Sequence, residues 1–216
     1  MVSTFLSSPA VDLSQIRLEI RSLQAQLVTW RRQLHQRPEL GFREQLTAEF
    51  ITEKLQQWQI PHETGIAKTG IVATLKGNRP GRVLAIRADM DALPIQEQND
   101  VPYKSQHDGV MHACGHDGHV TIALGTAYYL SQHRDFSGTV KIIFQPAEEG
   151  PGGAKPMIEA GVLKNPDVDS IIGLHLWNNL PLGTVGVRTG ALMAAVETVE
   201  LTILGKGGHG AIPQQT

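Results

Sequence analysis

The chain has 216 residues with 19 basic and 21 acidic side chains, and 41% of it is hydrophobic. That length buries the core of one domain, or of one domain plus part of another, and the near-balanced charge leaves no footprint for a nucleic acid or an acidic membrane surface. A single cysteine excludes an internal disulfide framework and fits a reducing compartment.

Residues 1–10 have no positive segment and too short an apolar run for a secretory signal. No apolar stretch approaches the roughly 20 residues that cross a bilayer, so a cytoplasmic protein without a membrane partner is expected. From about 12 to 37, Leu13, Ile16, Ile20, Leu23, Leu27, Trp30 and Leu34 recur at steps of three and four, which predicts a helix. Pro38 stops it, and residues 38–41 read as a turn. A second helix is predicted over 44–57, with Leu46, Phe50, Ile51 and Leu55 on one side. Residues 71–75 and 83–87 read as strands separated by turn residues 77–81.

A helix over 117–130 begins directly behind a Cys/His cluster. A short buried strand over 139–144 ends at Gln145-Pro146, a helix over 154–160 closes at Gly161, and a continuous apolar strand over 170–174 ends at His175. Strands alternating with helices, several of them uniformly apolar, predict a three-layer α/β sandwich with a mainly parallel central sheet. After about residue 188 the texture changes: a strand over 196–204 precedes Gly205-Lys-Gly-Gly-His-Gly210. The expected organisation is therefore a metal-binding domain over 1–188 and the start of a smaller domain over 189–216.

Polar residues gather where strands end: Asp89 and Asp91 after one, Glu148 and Glu149 after a second, His175 after a third. In open α/β sheets the ligand crevice lies beyond the carboxyl ends of the strands, so distant segments can meet there. Residues 111–119 pack three histidines, one aspartate and the only cysteine into nine positions. Imidazole and thiolate both suit a zinc-like ion, and the three segments together point to a metal-dependent hydrolase.

Each part also has a plainer reading. Cys114 and His116 reach one ion, or two neighbouring ions, if Gly115 bends the backbone; otherwise they are a small buried thiol beside a surface histidine. Adjacent Glu148 and Glu149 repel unless a cation or proton separates them, one coordinating while the other moves a proton; the alternative is a solvated acidic turn. His175, between two leucines, reads more readily as a core histidine than as a ligand. His112 and His119 read as non-ligands, either hydrogen-bonded near the site or exposed. Asp89 and Asp91 either cap a turn or orient a ligating histidine through its second nitrogen. His209 alone is a loop histidine.

In order, Leu34-His-Gln-Arg-Pro-Glu-Leu-Gly41, Arg87-Ala-Asp-Met-Asp-Ala-Leu-Pro94, Met111-His-Ala-Cys-Gly-His-Asp-Gly-His119, Phe144-Gln-Pro-Ala-Glu-Glu-Gly150, Gly173-Leu-His-Leu-Trp177 and Gly205-Lys-Gly-Gly-His-Gly-Ala211 resemble the amidohydrolase branch of the M20 metallopeptidases. That branch holds hippurate hydrolases, N-acyl-L-amino acid amidohydrolases and plant auxin-conjugate hydrolases. The resemblance implies a zinc-peptidase-like fold carrying a smaller α+β lid and dimerisation domain. It makes Cys114, His116, Glu149 and His175 metal ligands, Glu148 the general base and acid, and Asp91 a supporting catalytic residue. Where other branches carry His-x-Asp this chain has Asp89-Met90-Asp91, which leaves the role of Asp89 open. His209 falls where the lid offers a histidine to the substrate, often across a dimer interface. Two divalent ions are implied, zinc or manganese, with cobalt and nickel as alternatives, together with a small N-acyl amino acid substrate and a homodimer. Family members continue past this length to a further ligand histidine, so an N-terminal portion with four of five ligands is expected. Two other readings compete: a thiol hydrolase with Cys114 as nucleophile, and a non-catalytic metal-binding or interaction module.

Overall fold

Apolar periodicity at the start of the chain folds into two helices, α1 (Leu13–His35) and α2 (Gln45–Gln57). The computed structural model describes residues 13–150, 152–197 and 199–215, so the expected helix start at Asp12 lies outside the described residues. α1 ends short of Pro38 because the residue before a proline is pushed out of helical conformation. The turn that follows then serves α2. Glu39 accepts hydrogen bonds from the Leu46 and Thr47 backbone N–H groups at 3.1 and 2.9 Å, satisfying donors that the helix start would leave unpaired.

The remaining elements are β1 (His62–Ile66), β2 (Gly70–Lys76), β3 (Arg79–Asp89), α3 (His116–Gln132), β4 (Ser137–Gln145), α4 (Ala154–Glu159) and β5 (Ser170–Gly173). They form one sheet in the order β1-β2-β4-β3-β5. β4, β3 and β5 are mutually parallel, while β1 and β2 add an antiparallel side. β2 and β3 are neighbours in sequence but not in the sheet, because β4 lies between them. Residues 77–81 are consequently no hairpin turn. Arg79, Pro80 and Gly81 already belong to β3, whose register is irregular between Arg79 and Val83. β1 escaped the apolar pattern because most of its side chains face solvent.

Over β2 and β4 both sheet faces are covered, which explains the apolar runs of those two strands. Ile71, Ala73 and Leu75 of β2 join Ile142 and Phe144 of β4 against Trp30, Ile51, Leu55 and Leu124 of the three long helices. Val72, Ala85 and Ile143 point the opposite way, onto Met157 of α4 and Val162. Alternate residues of one strand thus serve two cores. Lys141 interrupts the second face, and its buried ammonium is satisfied by the Val162 and Pro166 carbonyls at 3.0 and 3.2 Å. β5 pairs only with β3 among the described residues, and its Ile171 and Ile172 are each 53% exposed.

The backbone groups into two compact units that divide after Leu176, earlier than the change of texture at 188. In the unit beginning at Trp177, the described residues of 196–204 form no strand, contrary to expectation. Strand hydrogen bonds need a partner strand, and the described residues of that unit contain none. A short 3₁₀ turn, Pro213–Gln215, lies near its end. No helix among the described residues is long and apolar enough to cross a membrane.

Candidate metal centre

Because β3, β4 and β5 are parallel, the segments leaving their carboxyl ends emerge at the same edge. Met90 and Asp91 follow β3, residues 146–149 follow β4, and Leu174 and His175 follow β5. α3 starts there too, behind Gly115, whose φ of +90° is a left-handed turn that a glycine adopts without steric cost. The carboxylate turn is strained: Ala147 sits at φ +51°, an unusual conformation for alanine. Fully buried Glu44 braces it, accepting from the Ala147 N–H at 2.8 Å and from the Thr69 hydroxyl at 2.6 Å.

Three groups of side chains could each hold a metal ion: Cys114, His116 and His175; Asp89, His116 and His119; His116, Glu148 and Glu149. Fully buried His116 belongs to all three. Its Nδ1 lies 2.9 Å from the Asp91 carbonyl, which can only accept, so Nδ1 carries the proton and the Nε2 lone pair is free to coordinate. Around Nε2 stand Asp89 Oδ2 and Glu149 Oε1, both at 3.7 Å, and Glu148 Oε2 at 4.0 Å. His116 Nε2 and Glu149 Oε1 are buried with no hydrogen-bond partner. Burial by itself lowers the pKa of His116, but the Asp91 hydrogen bond and the fields of Asp89, Asp91 and Glu149 together raise it.

Cys114 Sγ is 3.3 Å from His175 Nε2, and His175 Nδ1 donates to the Leu176 carbonyl at 2.6 Å, so again Nε2 faces inward. Two ligand atoms bound tetrahedrally to one zinc-like ion stand about 3.4–3.6 Å apart, so both the sulfur–nitrogen and the nitrogen–carboxylate spacings fit a shared cation. Burial pushes the Cys114 thiol up to about 12, helped by the nearby carboxylates of Glu149, Glu148 and Asp89. A thiol in that setting is ionised by a cation rather than by a base. The donor set and its orphaned atoms therefore fit a divalent metal.

Asp91 joins the motifs physically. Its Oδ2 accepts the Glu149 backbone N–H at 2.9 Å while its carbonyl holds His116. Burial opposes ionisation of Asp91, but the His116 ring, whose Nδ1 lies 3.3 Å from Asp91 Oδ1, and the Glu149 and Glu148 backbone N–H groups hold its pKa below the usual value. The two glutamates differ in exposure: the Glu149 side chain is 22% exposed and that of Glu148 is 41%. His112 belongs to none of the metal-capable groups among the described residues, and burial pushes its pKa down to about 4. His209 belongs to the other unit, where its Nδ1 accepts the Ala211 N–H at 3.2 Å.

Sequence reasoning missed a buried ion cluster next to the first turn of α3. His35 Nδ1 lies 2.7 Å from Asp117 Oδ2 and its Nε2 lies 3.1 Å from Glu97 Oε1. Arg31 reaches Asp117 at 2.7 Å, while Tyr103 and His112 face the His35 ring at 5.9 and 6.4 Å. His35 and Asp117 each lie within a sequence motif, but their pairing spans 82 positions of sequence. The Asp117 hydrogen bond outweighs burial and, with Glu97, raises the pKa of His35 above 6.5. A group whose folded pKa is raised adds stability that is full below the unfolded value and is lost as pH climbs through the folded value. The stability gap between the native chain and His35→Gln should therefore be widest below pH 6.5 and narrow on the alkaline side. Urea unfolding across that range tests this, and a pH-independent gap would refute the charged cluster.

Fold and cluster together define an α/β protein with groups capable of holding a metal at the carboxyl edge of its sheet. The sequence profile of peptidase family M20/M25/M40 matches residues 85–213, and the chain belongs to that family. It is 48% identical over 204 residues to an N-acyl-L-amino acid amidohydrolase of Geobacillus stearothermophilus, covering 94% of this chain and 55% of the relative. A hippurate hydrolase of Campylobacter jejuni is 44% identical over 200 residues, covering 91% of this chain and 51% of that protein. The crystal structure of the Bacillus subtilis YXEP protein, described as a dinuclear metal binding peptidase of the M20 family, superposes with a TM-score of 0.74. That pair is 48% identical, and the match covers 78% of this chain and 47% of the other. The chain spans about half the length of the curated relatives it matches.

Proposed function

We propose that this chain carries most of the active centre of a metal-dependent amidohydrolase that cleaves N-acyl amino acids to a carboxylic acid and a free amino acid. One observation carries the reading: Cys114, His116 and His175 form one metal-capable group and His116, Glu148 and Glu149 another, so that three sequence segments meet at the shared, buried His116. Zinc and manganese are the favoured metals, two ions in a complete site, since the thiolate and imidazoles suit the first and the carboxylates admit the second. Such ions supply Lewis acidity, polarising an amide carbonyl and acidifying water.

The chain's own groups do the rest. Asp91 keeps the proton on His116 Nδ1 and ties the backbone of Glu149 beside it. Glu149 turns inward as a ligand, while the more exposed Glu148 is the proton carrier. As water oxygen bonds to the amide carbon, Glu148 takes the water's proton; as the carbon–nitrogen bond breaks, it delivers that proton to the departing amine. His209 is assigned to the substrate on its motif alone, and the lid domain over 189–216, the homodimer and a cytoplasmic setting belong to the same reading.

Chelation should abolish hydrolysis of an N-acyl amino acid panel, and zinc or manganese should restore it. The measurement belongs on the shortest polypeptide containing this chain that is active. Hydrolysis that survives chelation but dies on alkylation would favour a Cys114 nucleophile, and no hydrolysis by metal-loaded protein of any length would favour a binding module.

A further inference from the structure

His119 lies in the first turn of α3, is buried, and uses both ring nitrogens. Its Nε2 is 2.9 Å from the backbone N–H of Leu176. An N–H can only donate, so Nε2 is the unprotonated nitrogen and Nδ1 carries the proton, which points at Asp89 Oδ1 2.6 Å away. Asp89 is itself held, its Oδ2 lying 2.8 Å from Arg87 Nη1, and Arg87 Nε donates to Gln145 Oε1 at 2.8 Å. A rigid polar line thus runs from β4 through β3 and α3 to the residue after His175.

Leu176 is also seated by shape. A Cβ added at Gly118 would lie 2.5 Å from Leu176 Cδ1, and one added at Gly115 would lie 3.2 Å from the same atom. The leucine side chain therefore rests on a saddle of two glycines. Its carbonyl accepts the Nδ1–H of His175, which turns His175 Nε2 toward Cys114. Asp89, His116 and His119 are close enough to form a metal group of their own, but the His119 lone pair is already used by Leu176, which leaves it none for a cation.

We propose that His119, locked by Asp89, is a positioning residue that fixes the orientation of His175 through the Leu176 backbone; this rests on His175 and Cys114 being ligands as read above. Supporting partners of this kind typically change metal affinity about 10- to 100-fold when lost. Glutamine at position 119 has an oxygen to accept from Leu176 and an amide to donate to Asp89, whereas leucine has neither.

The test is cobalt(II) titration of the metal-free 216-residue chain and its variants, followed by the near-ultraviolet thiolate-to-cobalt absorption band, with circular dichroism to verify folding. The native chain should show the band and Cys114→Ser should not. His119→Leu should bind cobalt about 10- to 100-fold more weakly. His119→Gln should stay within about threefold of the native affinity, on the small cost of keeping both hydrogen bonds. If His119→Leu fails to fold, Gly118→Ala, which unseats Leu176 without touching a polar group, should weaken cobalt binding in its place. Native-like affinity in the folded leucine or alanine variant, with the band present, overturns the inference and leaves the ligand reading intact. Loss of binding in both His119 variants makes His119 a ligand and overturns it as well. Absence of the band in the native chain overturns the ligand reading, and the inference with it.

Discussion

Replacing Glu148 with glutamine is expected to leave metal content unchanged and to reduce turnover of an N-acyl amino acid by about 100- to 10,000-fold, the range that general acid–base groups contribute. Glutamine keeps the shape of the side chain and its place after the Ala147 turn, but it neither takes nor returns a proton. The expectation depends on a division of labour within one carboxylate pair. Glu149 Oε1 is buried without a hydrogen-bond partner and lies 3.7 Å from His116 Nε2, while Glu148 is the more exposed of the two and lies 4.0 Å from the same nitrogen. The Glu149 backbone N–H donates to Asp91 Oδ2 at 2.9 Å, which holds the carboxylate turn beside His116. Steady-state kinetics with metal analysis on the same preparation is the check. Turnover within a few-fold of native would remove Glu148 from proton transfer. Parallel loss of metal would make it a ligand instead.

Cys114→Ser is expected to lose metal rather than proton transfer. A serine hydroxyl does not supply the thiolate that a borderline metal prefers, and the candidate cation would keep imidazole and carboxylate ligands only. The affinity loss should exceed the roughly 10- to 100-fold that follows removal of a supporting contact, because a ligand itself is removed. Activity should fall in step and recover in part at high metal concentration, by mass action. Unchanged metal stoichiometry and affinity in Cys114→Ser would remove the sulfur from the cluster. An inactive variant that still binds metal normally would instead revive a nucleophilic cysteine. The geometry speaks against that last outcome: Cys114 has carboxylates around it and a thiol held far above the range in which it ionises alone.

Period and punctuation in the sequence sufficed for α1, α2, α3, β2, β4 and β5, since each carries its own apolar pattern and stop signal. The motifs likewise marked Cys114, His116, Glu148, Glu149 and His175, because metal-capable side chains crowded at strand ends are a local signal. Four features were invisible to that logic. β1 is an exposed polar edge with little apolar signal. β4 separates β2 from β3, a pairing decided by strands competing for the interior of the sheet. The expected strand over 196–204 has no partner among the described residues of its unit. And Asp89 with His119, like His35 with Asp117, forms contacts across 30 and 82 positions, respectively, that no periodicity encodes.

By itself, then, the order of residues determined which chemistry this protein has available and where each strand delivers it, because helix and strand periods and ligand types are properties of short segments. Which lone pairs gather at one place, and which of them a hydrogen bond already occupies, was decided only in three dimensions. A histidine's role follows from what its second nitrogen touches: an Asp91 carbonyl frees the inner nitrogen of His116, whereas a Leu176 N–H occupies that of His119.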